Sequence, residues 1–245
     1  MKAALLIAAL LAAPSASAQD ADLPAPYVDP AAAAPRLLEL VAAHPDRMDL
    51  RLAAARELTA LGILEPTLEE RASSLREAVA TARAAVALDS ASADARYRLA
   101  AALGLAADQA GGLSKISFAR EAYAETEVTL ALDPDHGGAH HILGRLHAGA
   151  LRLGRLNRLI ARGLGLGEIL STASWESAER HLRIALERDP DPLVHTVELA
   201  KLLLRRERWD EGRALLTEVA GRTARHPLDE HSIAEARTLL AGDAR

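Results

Sequence analysis

Four short stop-start marks divide the chain, and they leave few architectures open to it. His44-Pro45-Asp46, Leu88-Asp89-Ser90, Leu132-Asp133-Pro134 and Arg188-Asp189-Pro190 recur at roughly 44, 44 and 56 residues. Proline cannot continue a preceding helix, while Asp and Ser can cap the next one. Each mark therefore closes one helix and opens another. From Ala31 onward the apolar spacing is helical, and no segment alternates as a strand would. Half of the residues are apolar yet only 2% are aromatic. With Ala and Leu dominant and β-branched residues scarce, the composition suits close-packed helices and suits strands poorly.

Between the marks runs a fixed register. An alanine stands twelve residues back from every mark, at Ala33, Ala78, Ala122 and Ala178. Nine or ten residues after each later mark comes a large residue followed by a small one, at Leu99-Ala100, Leu143-Gly144 and Leu199-Ala200. Small side chains at these places let the two helices of a hairpin approach closely. The pair and the later alanine form the packing skeleton of the tetratricopeptide repeat, whose usual period is about 34 residues. The longer periods here predict insertions between the helices of each hairpin. About ten extra residues fall at 108–117, where Gly111-Gly112 breaks the pattern, and roughly twenty fall between Ala150 and Ser174. Residues 209–216 supply the second helix of the last repeat, with Gly212 at the alanine place, and residues 228–240 a closing helix. The predicted fold is an all-α, tetratricopeptide-like α-solenoid over residues 31–242. It has about four helical hairpins, a long insertion in the third and a C-terminal capping helix.

Ahead of the array lie Lys2, an apolar run over residues 3–13, Pro14 and Ala16-Ser17-Ala18. These are the three parts of a secretory signal peptide, and the run is shorter than the roughly 20 residues of a spanning helix. Residues 1–18 are expected to be cleaved and the product to be periplasmic or secreted. Residues 19–30, carrying Pro24, Pro26 and Pro30, read as an extended linker. The chain has no cysteine, so neither a lipid-bearing thiol nor a disulfide is available to it. Its 29 basic and 34 acidic residues give a formal charge of −5, which argues against a general nucleic-acid binder.

The third hairpin carries a more specific pattern. Ala139-His140-His141-Ile142-Leu143-Gly144-Arg145, then Leu156-Asn157-Arg158-Leu159-Ile160-Ala161, Gly167, Ser171-Thr172-Ala173-Ser174, Glu179-Arg180-His181-Leu182 and Leu199-Ala200-Lys201 follow in order. This order resembles the regulator of microtubule dynamics family and its exported bacterial tetratricopeptide relatives, the TatT-like proteins linked to solute capture. The resemblance spans roughly residues 75–240. It implies the tetratricopeptide fold and a scaffold role, with a place beside an envelope or solute-uptake assembly. The chain departs from an envelope-anchored relative in lacking the lipid-bearing cysteine.

Three candidate sites follow from the residues. Arg145, Arg152, Arg155, Arg158 and Arg162 have no acidic neighbour between Gly137 and Gly167, and their spacing keeps them near one side of a helix. Leu146, Leu153, Leu156, Leu159 and Ile160 take the opposite side. Such a basic insertion can act as a lid, its leucines covering the end of the stack and its arginines in water. Alternatively it can make the protein a peripheral membrane or small-ligand binder, with residues 145–162 as the binding element. The second candidate is the concave face lined by the first helix of each hairpin. There the register places Arg56, Tyr97, His141, Arg145 and Lys201, which favour a protein or peptide partner bearing carboxylates. The third is the pair His136 and His140, four residues apart as two metal ligands on one helix would be. No Asp or Glu follows at ligand spacing, so no metal and no cofactor is expected. Neither a Gly-x-Ser-x-Gly elbow, a phosphate-cradling loop nor a His-Glu-x-x-His helix is present, so the chain is expected not to be an enzyme.

Overall fold

The computed structural model describes residues 29–190 and 192–242. The expected leader, residues 1–18, and the expected linker up to residue 28 lie outside the described residues. Helix α1 (Pro30–Ala43) opens on Pro30, whose missing N–H costs nothing at a first helical position, and Asp29 accepts from the Ala31 N–H. Three uninterrupted hairpins are α2 (Met48–Leu64) with α3 (Leu68–Leu88), α4 (Ala93–Gln109) with α5 (Gly112–Leu132), and α10 (Leu193–Arg205) with α11 (Trp209–Ala220). Between the last two lies α6 (Gly137–Leu151), which pairs with α9 (Trp175–Arg188) across an insertion. That insertion holds α7 (Arg155–Ala161), a π-helical turn at Arg162–Leu166 and α8 (Gly167–Thr172). Helix α12 (Pro227–Gly242) closes the array. Among the described residues the structure is helical without strands, and no helix is long and apolar enough to cross a membrane.

Every register alanine is buried: Ala33, Ala78, Ala122 and Ala178 expose at most 3%. A Cβ at Gly144 would stand 2.8 Å from Leu182 Cγ and 3.1 Å from the Ala178 carbonyl, and one at Gly212 would stand 3.2 Å from the Ala200 carbonyl. These are the close helix crossings that the large-small pairs predict. Consecutive hairpins stack through α2 on α4, α4 on α6 and α6 on α10, as an array requires. Helix α12 packs on α11 and α10 and also touches α2, so it lies across the inner side of the curve.

Two expectations need correction. The ten extra residues near Gly111 do not form an inserted loop. They lengthen both helices of each early hairpin, to 17 and 21 residues, and Gly111 is only the N-cap between α4 and α5. The marks also work differently from simple caps. Helix α4 is capped by Ser92, two residues beyond the second mark, while Asp89 and Asp133 brace the turns by accepting from the Ala91 and Asp135 N–H at 2.9 and 3.1 Å. Helix α6 is capped instead by His136, whose Nδ1 accepts from the Ala139 N–H at 3.2 Å.

Candidate functional site

Helix α6 is the part of the array with neighbours on most sides, and its sequence is built for that. Gly137 and Gly138 leave no room for a side chain: a Cβ would meet Asp189 Cβ at 2.8 Å in the first case and enter the Tyr97 ring in the second. Residues 137–144 are all buried, as are His147, Ala148 and Ala150. Three histidines on this helix turn to two different partners.

Toward α9, His140 and His147 lie on either side of His181, with ring centroids 5.1 and 5.6 Å away and near-parallel planes. His140 Nε2 lies 2.9 Å from the Pro134 carbonyl, which can only accept, so that nitrogen carries the proton. Its Nδ1 then accepts from His181 Nδ1–H at 2.9 Å. Burial, reinforced by His140, His147 and Arg180, pushes the His181 pKa down from 6.5 to about 4. Burial and Arg180 lower His147 as well. Toward α10, His141 and His195 share one proton across an Nδ1 to Nδ1 distance of 3.0 Å. Burial first, then His195 and Arg145, holds His141 well below the ordinary histidine range.

One turn further along the same face, a chain of charges replaces the histidines. Arg145 donates to Asp108 of α4 and lies 3.9 Å from Glu198 of α10. Lys201 bridges Glu198 at 2.9 Å and Glu235 of α12 at 3.0 Å. Burial of Glu198 opposes ionisation, but Arg145 and Lys201 outweigh it and bring its pKa down to about 2. Four helices are thus tied together by charges only partly shielded from water. At the edge of this network, Arg152 caps α6 and Arg205 ends α10. Helices α6 and α10 run side by side, with His141 against His195 and Arg145 against Glu198, so these two arginines fall at the same end of the helix pair. Burial and then Arg205 lower the Arg152 pKa, while Glu198 and Asp108 oppose them. Neither forms an ion pair with a carboxylate among the described residues. The helix C-termini behind them present carbonyls that favour positive charge.

A family profile described as Regulator of microtubule dynamics protein 1-3 matches residues 28–242, most of the chain. The chain belongs to the regulator of microtubule dynamics family. A comparison with curated proteins finds no match. Among solved structures, a thermophilic tetratricopeptide repeat protein of Thermus thermophilus aligns with a TM-score of 0.59 at 18% identity, over 86% of this chain and 91% of that one. The two share a fold. MamA aligns with a TM-score of 0.43 at 14% identity, over 88% of this chain and 91% of that one. A double mutant of MamA from RS-1 gives 0.43 at 16% identity, over 88% of each chain. The fold of this family member is a tetratricopeptide-like array of helical hairpins.

The five residues assigned to the concave face separate into two groups. His141, Arg145 and Lys201 gather around Glu198. Arg56 instead pairs with its neighbour Glu57 at 2.6 Å, and Tyr97 packs on His136 with ring centroids 4.4 Å apart. His141 is 8% exposed and packs against the 3%-exposed His195, so it lies inside the array and not on the concave surface. Glu198, Asp108, Arg205 and Glu235 were missed by the sequence reading, because their meeting depends on how α4, α6, α10 and α12 stack. The expected single basic helix is also broken. Arg145 belongs to α6, Gly154 separates α7 from it, and the chain turns again at Leu164 and Gly165. The leucine side divides likewise: Leu146 and Leu153 join a core with Ile169 and Leu170, whereas Leu156 and Leu159 are about 70% exposed. His136 faces Tyr97 and Asp94 while His140 faces His181, so the two do not converge. Among the described residues no three His, Asp or Glu side chains come together as metal ligands would.

Proposed function

We propose that this chain is an exported, non-enzymatic scaffold whose inner surface holds a carboxylate of a protein or peptide partner between Arg152 and Arg205. The supporting observation is the position of these two arginines at the same end of the adjoining helices α6 and α10, with no carboxylate at ion-pair distance from either among the described residues. Like charges held together favour an anion between them, and a guanidinium binds a carboxylate with two parallel hydrogen bonds. The Arg145–Glu198–Lys201 chain beside them fixes the spacing of α6 and α10, and hence of the two guanidiniums. Export enters this reading through the leader-like residues 1–18, and a place beside an envelope or solute-uptake assembly through the exported relatives that the third hairpin resembles.

A fluorescein-labelled peptide ending in Asp-Glu with a free carboxylate tests the site by anisotropy, against the same peptide ending in Asn-Gln amide. The acidic peptide should bind, more weakly as salt rises. Arg152→Ala with Arg205→Ala should weaken it by about tenfold or more, the equivalent of one well-placed charged hydrogen bond. Equal binding of both peptides, or no effect of the double variant, would remove the proposal.

A further inference from the structure

The insertion between α6 and α9 has apolar side chains on two opposite sides, and only one of them is covered. Ala161, Leu166, Ile169 and Leu170 are buried against Ile116, Ala119 and Tyr123 of α5. On the other side Leu156, Leu159, Ile160 and Leu164 are 70, 68, 38 and 39% exposed. Four exposed large aliphatics thus fall within nine residues of sequence. Their presentation is fixed from below. Gly165 takes φ +93°, a backbone conformation that turns the chain at Leu164, and Arg120 of α5 donates to the Leu164 carbonyl at 3.4 Å.

Around this apolar patch stand Arg155, Arg158 and Arg162, with Arg120 at its base. None of them has a carboxylate partner among the described residues; Arg158 donates to the Ala150 carbonyl and Arg120 to that of Leu164. The acidic residue nearest in sequence, Glu168, interacts with Tyr123 and Glu127 on α5 instead. A helical segment apolar on both sides needs a second apolar medium, and one ringed by cations needs that medium to carry negative charge. The patch exposes roughly 400 Å², about half of what each partner contributes to a stable protein interface, so a second protein chain fits it poorly. It has no aromatic side chain either, where protein interfaces concentrate them.

We infer that residues 155–164 dock this protein on an anionic lipid surface, the aliphatic side chains entering the headgroup boundary and the arginines pairing with lipid phosphates. The site lies on α7 and the π-helical turn and does not depend on the peptide reading above.

The absence of cysteine allows a direct test. Leu159→Cys in the full chain carries one environment-sensitive dye, and Leu68→Cys, equally exposed at the start of α3, carries the same dye as a control. Vesicles of phosphatidylcholine with about one quarter phosphatidylglycerol should blue-shift the dye at 159 and leave the dye at 68 unchanged. Pure phosphatidylcholine should do neither. Adding Arg155→Glu and Arg162→Glu, both at exposed positions, should reduce vesicle partition by more than about tenfold, and Leu156→Ser should also weaken it. Any apolar segment elsewhere in the chain is common to all these proteins, so the difference between the dyes at 159 and 68 isolates the patch. No shift at 159, or an equal shift on neutral vesicles, overturns the inference. So does a shift that grows with protein concentration without vesicles, which would make the patch a contact between copies of this chain.

Discussion

The α4–α5 and α6–α9 hairpins occupy equivalent places in the array and are built from different chemistry. In the first, the interface is alanine and leucine, with Leu99, Ala102, Leu103 and Ala122 at its centre, and its polar groups are ion pairs at the margin such as Arg96 with Glu125 at 2.8 Å. In the second, the same interface holds His140, His147 and His181, and the small position on α6 is a glycine rather than an alanine. Helix α6 has α4, α5, α8, α9 and α10 around it, and this crowding accounts for both substitutions. A glycine lets α9 come closer than alanine would. Stacked imidazoles fill the resulting flat space; His140 and His181 pair through their Nδ1 atoms, whereas the buried His147 Nδ1 has no hydrogen-bond partner.

The most disruptive way to break the contrast is to fill that space. Gly144→Leu must displace Leu182 and the Ala178 carbonyl of α9, a fixed helix rather than a flexible tip. Overpacking of this kind costs about 3 kcal/mol. Urea unfolding should show a lower midpoint, with hydrogen exchange rising first in α6 and α9 while α2–α5 keep their protection. Uniform loss of protection along the whole chain would contradict an array held together by neighbour contacts.

Acid should separate the two hairpins next. Unfolding frees His141, His147 and His181 to bind protons near pH 6.5, while the folded chain resists protonation, down to about pH 4 at His181. Between these values the unfolded state holds more protons, so stability falls as pH falls. Glu198 contributes in the same direction only lower, between its ordinary 4.5 and about 2. The melting temperature should therefore decline from about pH 6.5 to 4, before most carboxylates titrate. His181→Asn keeps an amide near the Nδ1 position without a titrating ring, and should flatten that decline. An unchanged slope would mean that the imidazole stack is not what acid attacks.

This contrast also marks how far the residues could be read unaided. Ala33, Ala78, Ala122 and Ala178 announce the array because a tight crossing needs a small side chain at a fixed distance from a helix end, and that distance is local. The large-small pairs carry the same information, and so does the interruption after Ala150. The charge chain through Asp108, Arg145, Glu198 and Glu235 spans more than a hundred residues of sequence and depends on stacking angles that no local spacing encodes. The histidines were visible as a group, but local spacing offered only the four-residue separation of His136 and His140, from which no metal site was expected. Their true partners, His181 and His195, are 41 and 54 residues downstream of His140 and His141. The extra length of α2–α5 was misplaced into loops for a related reason: alanine-rich helix continues its apolar period past the usual repeat length without any visible seam.

The smallest effect sharpens the comparison with one methyl group on each side of it. Gly104 lies in the interior of α4, and a Cβ there would find nothing within 4 Å. Glycine in a helix interior is less favourable than alanine by about 0.5–1 kcal/mol, because the unfolded chain gains more freedom from it. Gly104→Ala should therefore raise the melting temperature by a few degrees. Gly144→Ala receives the same entropic benefit, but its Cβ would sit 2.8 Å from Leu182 Cγ and 3.1 Å from the Ala178 carbonyl, so α9 must retreat and the temperature should fall. Differential scanning calorimetry of the two proteins, each against the parent chain, checks the pair. Opposite signs would locate the tight crossing at α6–α9, whereas two stabilised variants would show that α9 moves freely and that Gly144 is not there for close approach.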